Sequence, residues 1–122
     1  MREYKGRMVQ LRLIKGGKYH QPPESQTEPQ FFEGQVVTHR LFEYRGVIVG
    51  VDRMFKGTED WYDRVARSRP PKDHPWYEVL VDKASHSTYV AERNLILEND
   101  PRPVQHPLLN HFFTRFVKGV YQ

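Results

Sequence analysis

The sequence predicts a mainly β fold: a small antiparallel barrel with a short helix in a long inter-strand insertion and a C-terminal helix. Three observations predict it. Runs of β-branched and aromatic residues recur between residues 35 and 97, each bounded by glycine or a polar turn. The strongest of them, Arg45 to Asp52, repeats valine with period two. Four or five short strands with tight turns over about seventy residues fit a barrel better than a sandwich.

Residues 1–30 read as an N-terminal strand followed by a polar linker. Met8 to Ile14 alternates, with Val9, Leu11 and Leu13 on one side and Gln10 and Arg12 on the other, and Gly16-Gly17 ends the run. A single strand cannot bury itself, so it either joins the edge of the main sheet or stays mobile. Lys18 to Gln30 (KYHQPPESQTEPQ) is polar, contains proline and has no period, which marks a linker.

Residues 31–122 form the body. Gln35 to His39 is a brief strand after Gly34. In Arg45 to Asp52 the pattern places Val47, Val49 and Val51 on one face, and Gly46 and Gly50 announce a bend or bulge. Thr58 then caps a short helix with Glu59 and Asp60 in its first turn and Arg64 and Arg67 toward its end. Trp61 and Val65, four apart, are expected to face the body, and Pro70-Pro71 ends the helix. The insertion from Arg53 to Pro75 is too long for a hairpin loop, and loops of that length are commonly functional or disordered.

Pro75 to Asp82 (PWYEVLVD) supplies the next strand, with Tyr77, Val79 and Val81 on one face and Trp76, Glu78, Leu80 and Asp82 on the other. Lys83 to Ser85 turns the chain into Ser87 to Ala91. Glu92-Arg93-Asn94 interrupts that run, and Leu95 to Leu97 closes it. Leu108, Leu109, Phe112, Phe113 and Phe116 recur as an apolar helical stripe after Pro107.

The chain has 122 residues, enough for one core without staples, and it has no cysteine. Disulfides and thiolate chemistry are thereby excluded, and a reducing compartment fits. No apolar run approaches a membrane span, and the start lacks a secretory h-region, so a cytoplasmic protein is expected. The net charge of +4 and pI near 9.4 suggest an anionic partner. Residues 1–30 hold six Lys/Arg against three acids, however, and residues 31–122 thirteen against twelve. Most of the excess lies in the arm, and the body can offer the clustered basic face of a nucleic-acid domain only by folding its charges into a lopsided arrangement.

Catalytic and metal-binding patterns are missing from the sequence. The six histidines, His20, His39, His74, His86, His106 and His111, include no pair at helical zinc spacing. No serine sits in a Gly-x-Ser-x-Gly elbow. Gly16-Gly17-Lys18 lacks the earlier glycine and the following Ser/Thr of a phosphate loop. Glu59 and Asp60 are placed where any helix start favours acids. Neither an enzyme nor a cofactor is expected.

The insertion interleaves basic and aromatic residues: Arg53, Phe55, Lys56, Trp61, Tyr62, Arg64, Arg67, Arg69 and Lys72, with Trp76 just beyond. Cations there could hold phosphates while an exposed ring stacks on a base. Alternatively the segment is a lid whose rings pack down and whose charges are solvated. Glu59, Asp60, Asp63 and Asp73 in the same stretch favour the lid, and Trp76 reads as its anchor.

The segments FEGQVVTHRLFEYRGVIVGVD, HPWYEVLVD and TYVAERNL, in that order and spacing, resemble the YccV-like or HspQ family, also called the hemimethylated-DNA-binding domain. The resemblance covers residues 31–97. The tail PVQHPLLNHFF and the strand before the linker are similar to the flanks of the barrel in the eukaryotic polymerase-delta-interacting protein, where a second β-domain follows. The family resemblance implies an SH3-like barrel without catalysis. It implies heat-shock-linked roles and two classes of partner. One is DNA, including hemimethylated DNA; the other is protein, such as an ATP-dependent protease or its substrates. A ligand-binding barrel is a remote third reading.

Overall fold

The computed structural model describes residues 12–14, 18–20, 28–100 and 102–122. Near the N-terminus, β1 (Arg12–Ile14) pairs antiparallel with β2 (Lys18–His20) in a two-stranded ladder of their own. Lys18 to His20, expected in the linker, is thus strand. Met8 to Leu11, Gly16-Gly17 and Gln21 to Thr27 of the expected strand, turn and linker lie outside the described residues.

The main sheet is antiparallel and five-stranded. It comprises β3 (Val36–His39), β4 (Arg45–Asp52), β5 (Trp76–Val81), β6 (Ser87–Ala91) and β7 (Leu95–Leu97), in the order β6-β5-β4-β3-β7. A mainly β domain is therefore present, with strands where β-branched periodicity placed them. The hydrogen-bonded ladder leaves β6 and β7 as edges among the described residues. The β3–β4 turn nonetheless reaches across to β6, where the Tyr44 hydroxyl lies 2.7 Å from Thr88 Oγ1.

Both faces of the sheet are buried. Val37, Ile48, Tyr77, Val79, Val90 and Leu95 form one apolar cluster. Val36, Val47 and Leu80 pack with Val104 and Tyr121 from the C-terminal segment in a second. The alternation in β5 thus divides two buried layers. Val51 departs from the expected face. The register of β4 on β5 shifts between Ile48 and Gly50, and the extra residue moves Val51 to the Ile48 side while Val49 stays with Val47.

The C-terminal helix is much shorter than the apolar stripe suggested. α2 (Leu109–Phe112) is one turn, and the chain then forms a hairpin of β8 (Phe116–Val117) and β9 (Val120–Tyr121). Lys118 and Gly119 both take positive φ, 51° and 82°, as a two-residue loop matching the strand twist requires. Phe113, Phe116 and Tyr121 still reach the second cluster, by a strand geometry in place of a helical one. Val120 bridges Gln35, and Tyr121 N–H donates to the Gly34 carbonyl at 2.8 Å, so this hairpin extends the β3 region.

Candidate binding surface

The insertion folds down as a lid. Thr58 caps α1 (Glu59–Val65) by accepting the Trp61 N–H at 3.1 Å, as expected. The face that packs inward is Tyr62 with Ala66, whereas Val65 is 50 % exposed and Trp61 half-buried. The Tyr62–Ala66 pair wins because the Tyr62 hydroxyl reaches the Pro70 carbonyl at 2.6 Å, closing the lid on itself.

Beneath the lid lies an aromatic nucleus of Phe55, Trp61, Tyr62, Trp76 and Tyr89. Ring centroids are 4.8 Å apart for Phe55–Trp76 and 5.2 Å for the stacked Trp76–Tyr89 pair. Trp76 is 1 % exposed, and its Nε1 donates to the Pro71 carbonyl at 3.1 Å. It anchors the lid. The Tyr89 hydroxyl donates to Asp52 at 2.6 Å and accepts the Lys56 N–H at 3.0 Å, pinning the start of the insertion to β6. Burial and the hydrogen bond to Asp52 push its pKa far up, so it stays a donor. Tyr77 behaves likewise: burial and its bond to Glu92 raise it.

The candidate cations divide into two groups. Arg53 pairs with Glu28 at 2.6 Å, Arg69 with Asp63 at 2.8 Å, and Lys72 with Glu59 at 2.5 Å. Arg69 and Lys72 also lie over the Tyr62 ring, 4.6 and 4.3 Å from its centroid. Lys56, Arg64 and Arg67 are exposed and make no ion pair among the described residues. The structure therefore brings the rings together as core and leaves only part of the basic set facing solvent.

One side of the lid opens on a groove of about 600 Å³. Trp61, Val65, Ala66 and Arg67 line one wall, His39, Leu41, Phe42 and Tyr44 the other, and β6 runs between them. Leu41 and Phe42 are 56 % and 74 % exposed. The opposite wall lies outside the insertion in which the sequence pattern places the candidate residues. Two large apolar residues side by side in a turn, Leu41-Phe42, were the available signal.

Among the described residues no cluster of three or more His, Asp or Glu could hold a metal, and no helix is long and apolar enough to cross a membrane.

Residues 29–120 match the family described as "Hemimethylated DNA-binding protein YccV like". The chain is also similar to "F-box only protein 21" of Mus musculus, 31 % identical over 90 residues. The Homo sapiens protein of that name is 29 % identical over 90 residues. In both cases the match covers 72 % of this chain and 14 % of the relative, so the chain spans about one-seventh of these relatives.

Proposed function

The chain belongs to the YccV-like family, and from that premise we propose that it is a non-enzymatic module binding duplex DNA, with hemimethylated sites preferred. Family membership is the observation that carries this reading; the surface narrows how binding would work. With Phe55, Tyr62 and Trp76 packed into the nucleus, base stacking is disfavoured. Of the exposed lid cations, Lys56 and Arg64 would contact phosphates while Arg67 lines the groove, and Met54, 44 % exposed and two residues before Lys56, would contact a methyl group in the major groove. The near-neutral body predicts modest affinity.

The test is titration into labelled hemimethylated, fully methylated and unmethylated duplexes across a salt series. A preference for the hemimethylated duplex that survives moderate salt supports the reading. Equal binding that vanishes with salt, and with deletion of residues 1–30, sinks it.

A second reading, a protein-interaction module serving an ATP-dependent protease or another protein partner, is favoured by one observation. The groove between the lid and the β3–β4 turn exposes Leu41, Phe42 and Val65 together.

A further inference from the structure

The groove contains an unpaired strand edge. Val81 N–H donates to the His86 carbonyl, and Glu92 N–H to the Pro75 carbonyl. With Tyr77 opposite Val90 and Val79 opposite Thr88, hydrogen-bonded pairs fall on Thr88 and Val90. Ser87 and Tyr89 therefore turn their N–H and C=O groups away from β5. β6 is the end of the ladder, so these four groups meet no strand among the described residues.

Walls flank that edge on both sides. A strand laid beside β6 would direct alternate side chains toward Trp61 and Val65 and toward Leu41 and Phe42, apolar in either direction. The end of the groove beyond Ala91 has a different character. There Arg67, Ser68 and Asn94 line the groove. Arg40 and Arg93 lie next to it, lining a separate cavity of about 280 Å³ with Glu92, where Arg40 Nε donates to the Arg93 carbonyl at 3.1 Å and Arg93 Nη2 to the Ser68 carbonyl at 2.7 Å. None of these three guanidinium groups is paired with a carboxylate among the described residues. The slot therefore has backbone partners along its length, largely apolar walls with Glu78 among their residues, and one cation, Arg67, at its end, with Arg40 and Arg93 in the neighbouring cavity.

We propose that β6 accepts an extended peptide by strand addition, antiparallel like the rest of the sheet, with an acidic residue at Arg67 followed by large apolar residues between the walls. This rests on the protein-interaction reading and gives it a ligand class. It is independent of DNA binding, so a failed duplex titration leaves it standing. Backbone hydrogen bonds supply affinity and the side-chain walls supply selectivity in this mode of recognition.

The test is selection of a random eight-residue peptide library, displayed on phage, against the full chain. The expected result is enrichment of peptides with Asp or Glu on the N-terminal side of two or more large apolar residues. A synthetic winner should shift the amide resonances of Ser87 and Tyr89 and slow exchange of their N–H protons. N-methylating the peptide at alternate residues should cut binding more than tenfold in one register and leave the other intact. Arg67→Glu should weaken the acidic peptide by a similar factor and improve binding when its acid is replaced by lysine. Ser87→Pro removes one outward N–H and should weaken every winner relative to Ser87→Ala, which loses the same side-chain hydrogen bond to Glu78.

No enrichment, tolerance of N-methylation at every position, or shifts confined to residues outside the groove would overturn the proposal. So would concentration-dependent dimerisation that protects the Ser87 and Tyr89 N–H groups without peptide, which would make the edge an interface between copies of this chain.

Discussion

The His39 ring stacks on Phe42, centroids 4.5 Å apart, while its Nδ1 accepts the N–H of Phe42 at 3.0 Å and of Leu41 at 3.1 Å. One buried imidazole thus holds the apolar wall of the groove, and it must be neutral at Nδ1 to do so. Burial lowers its pKa. The folded state therefore resists a proton that the unfolded chain accepts at the ordinary histidine value. Stability from this site is complete above that value and declines as pH falls from about 6.5 toward the depressed folded pKa. Denaturant midpoints measured from pH 8 to 5 should show this decline, and His39→Asn should flatten it. An unchanged slope in the variant would show that another group carries it.

Arg45 forms the second polar hub. Its Nη1 donates to Asp82 at 2.9 Å, its Nε to Glu98 at 3.1 Å, and its Nη2 to the Arg102 carbonyl at 2.6 Å, with Arg45 and Asp82 side chains only 12 % and 8 % exposed. Removing the guanidinium strands two carboxylates, so Arg45→Met should cost about 3–5 kcal/mol. Arg45→Lys should recover little, since one ammonium cannot span three acceptors in different directions. Urea unfolding of both variants checks this, and near-complete rescue by lysine would contradict it.

The sheet was legible in the sequence because strands buried on one or both faces leave a period-two or continuous β-branched record. Arg45 to Asp52 and Trp76 to Val81 are the clearest cases. Bulges and hairpins leave fainter ones. Gly50 announced an irregularity, but the pattern could not say that Val51 would change faces. At the C-terminus the stripe from Leu108 to Phe116 fitted a helix, and Lys118-Gly119 between two apolar pairs was the overlooked hairpin signal. For the candidate surface, composition identified the lid but not which charges would be neutralised within it. Arg69, which adopts φ 53°, meets Asp63 at 2.8 Å, a pairing that composition does not specify. The groove joins residues near 40, 65 and 90, a proximity that no local pattern encodes.

Gly34 takes φ +98°, and a Cβ there would lie 2.1 Å from the Tyr121 carbonyl oxygen. Gly34→Ala should therefore displace β9 from Gly34 and Gln35, just before β3, beyond the roughly 1–2 kcal/mol that a left-handed backbone costs an L-residue. The Tyr121 hydroxyl, which accepts the Val104 N–H at 2.8 Å, would lose that contact with it. Hydrogen exchange should then reveal faster exchange at Val104 and Tyr121 while β4 and β5 stay protected. Retained protection at Tyr121 would mean the chain absorbs the methyl group by a local shift.

The two classes of lid cation make separable predictions for DNA binding. Each phosphate contact contributes about −0.9 to the slope of log K against log salt. Lys56 and Arg64 are exposed without carboxylate partners among the described residues, so Lys56→Ala with Arg64→Ala should reduce the slope by up to about two. Arg69 and Lys72 are already engaged by Asp63 and Glu59 and lie over Tyr62. Arg69→Ala with Lys72→Ala should leave the slope nearly unchanged and lower Tm by a few degrees, as lid contacts are lost. If the second pair changes the slope as much as the first, the lid opens on DNA and its ion pairs exchange for phosphate contacts. The closed arrangement of Phe55, Tyr62 and Trp76 would then be only the unbound state.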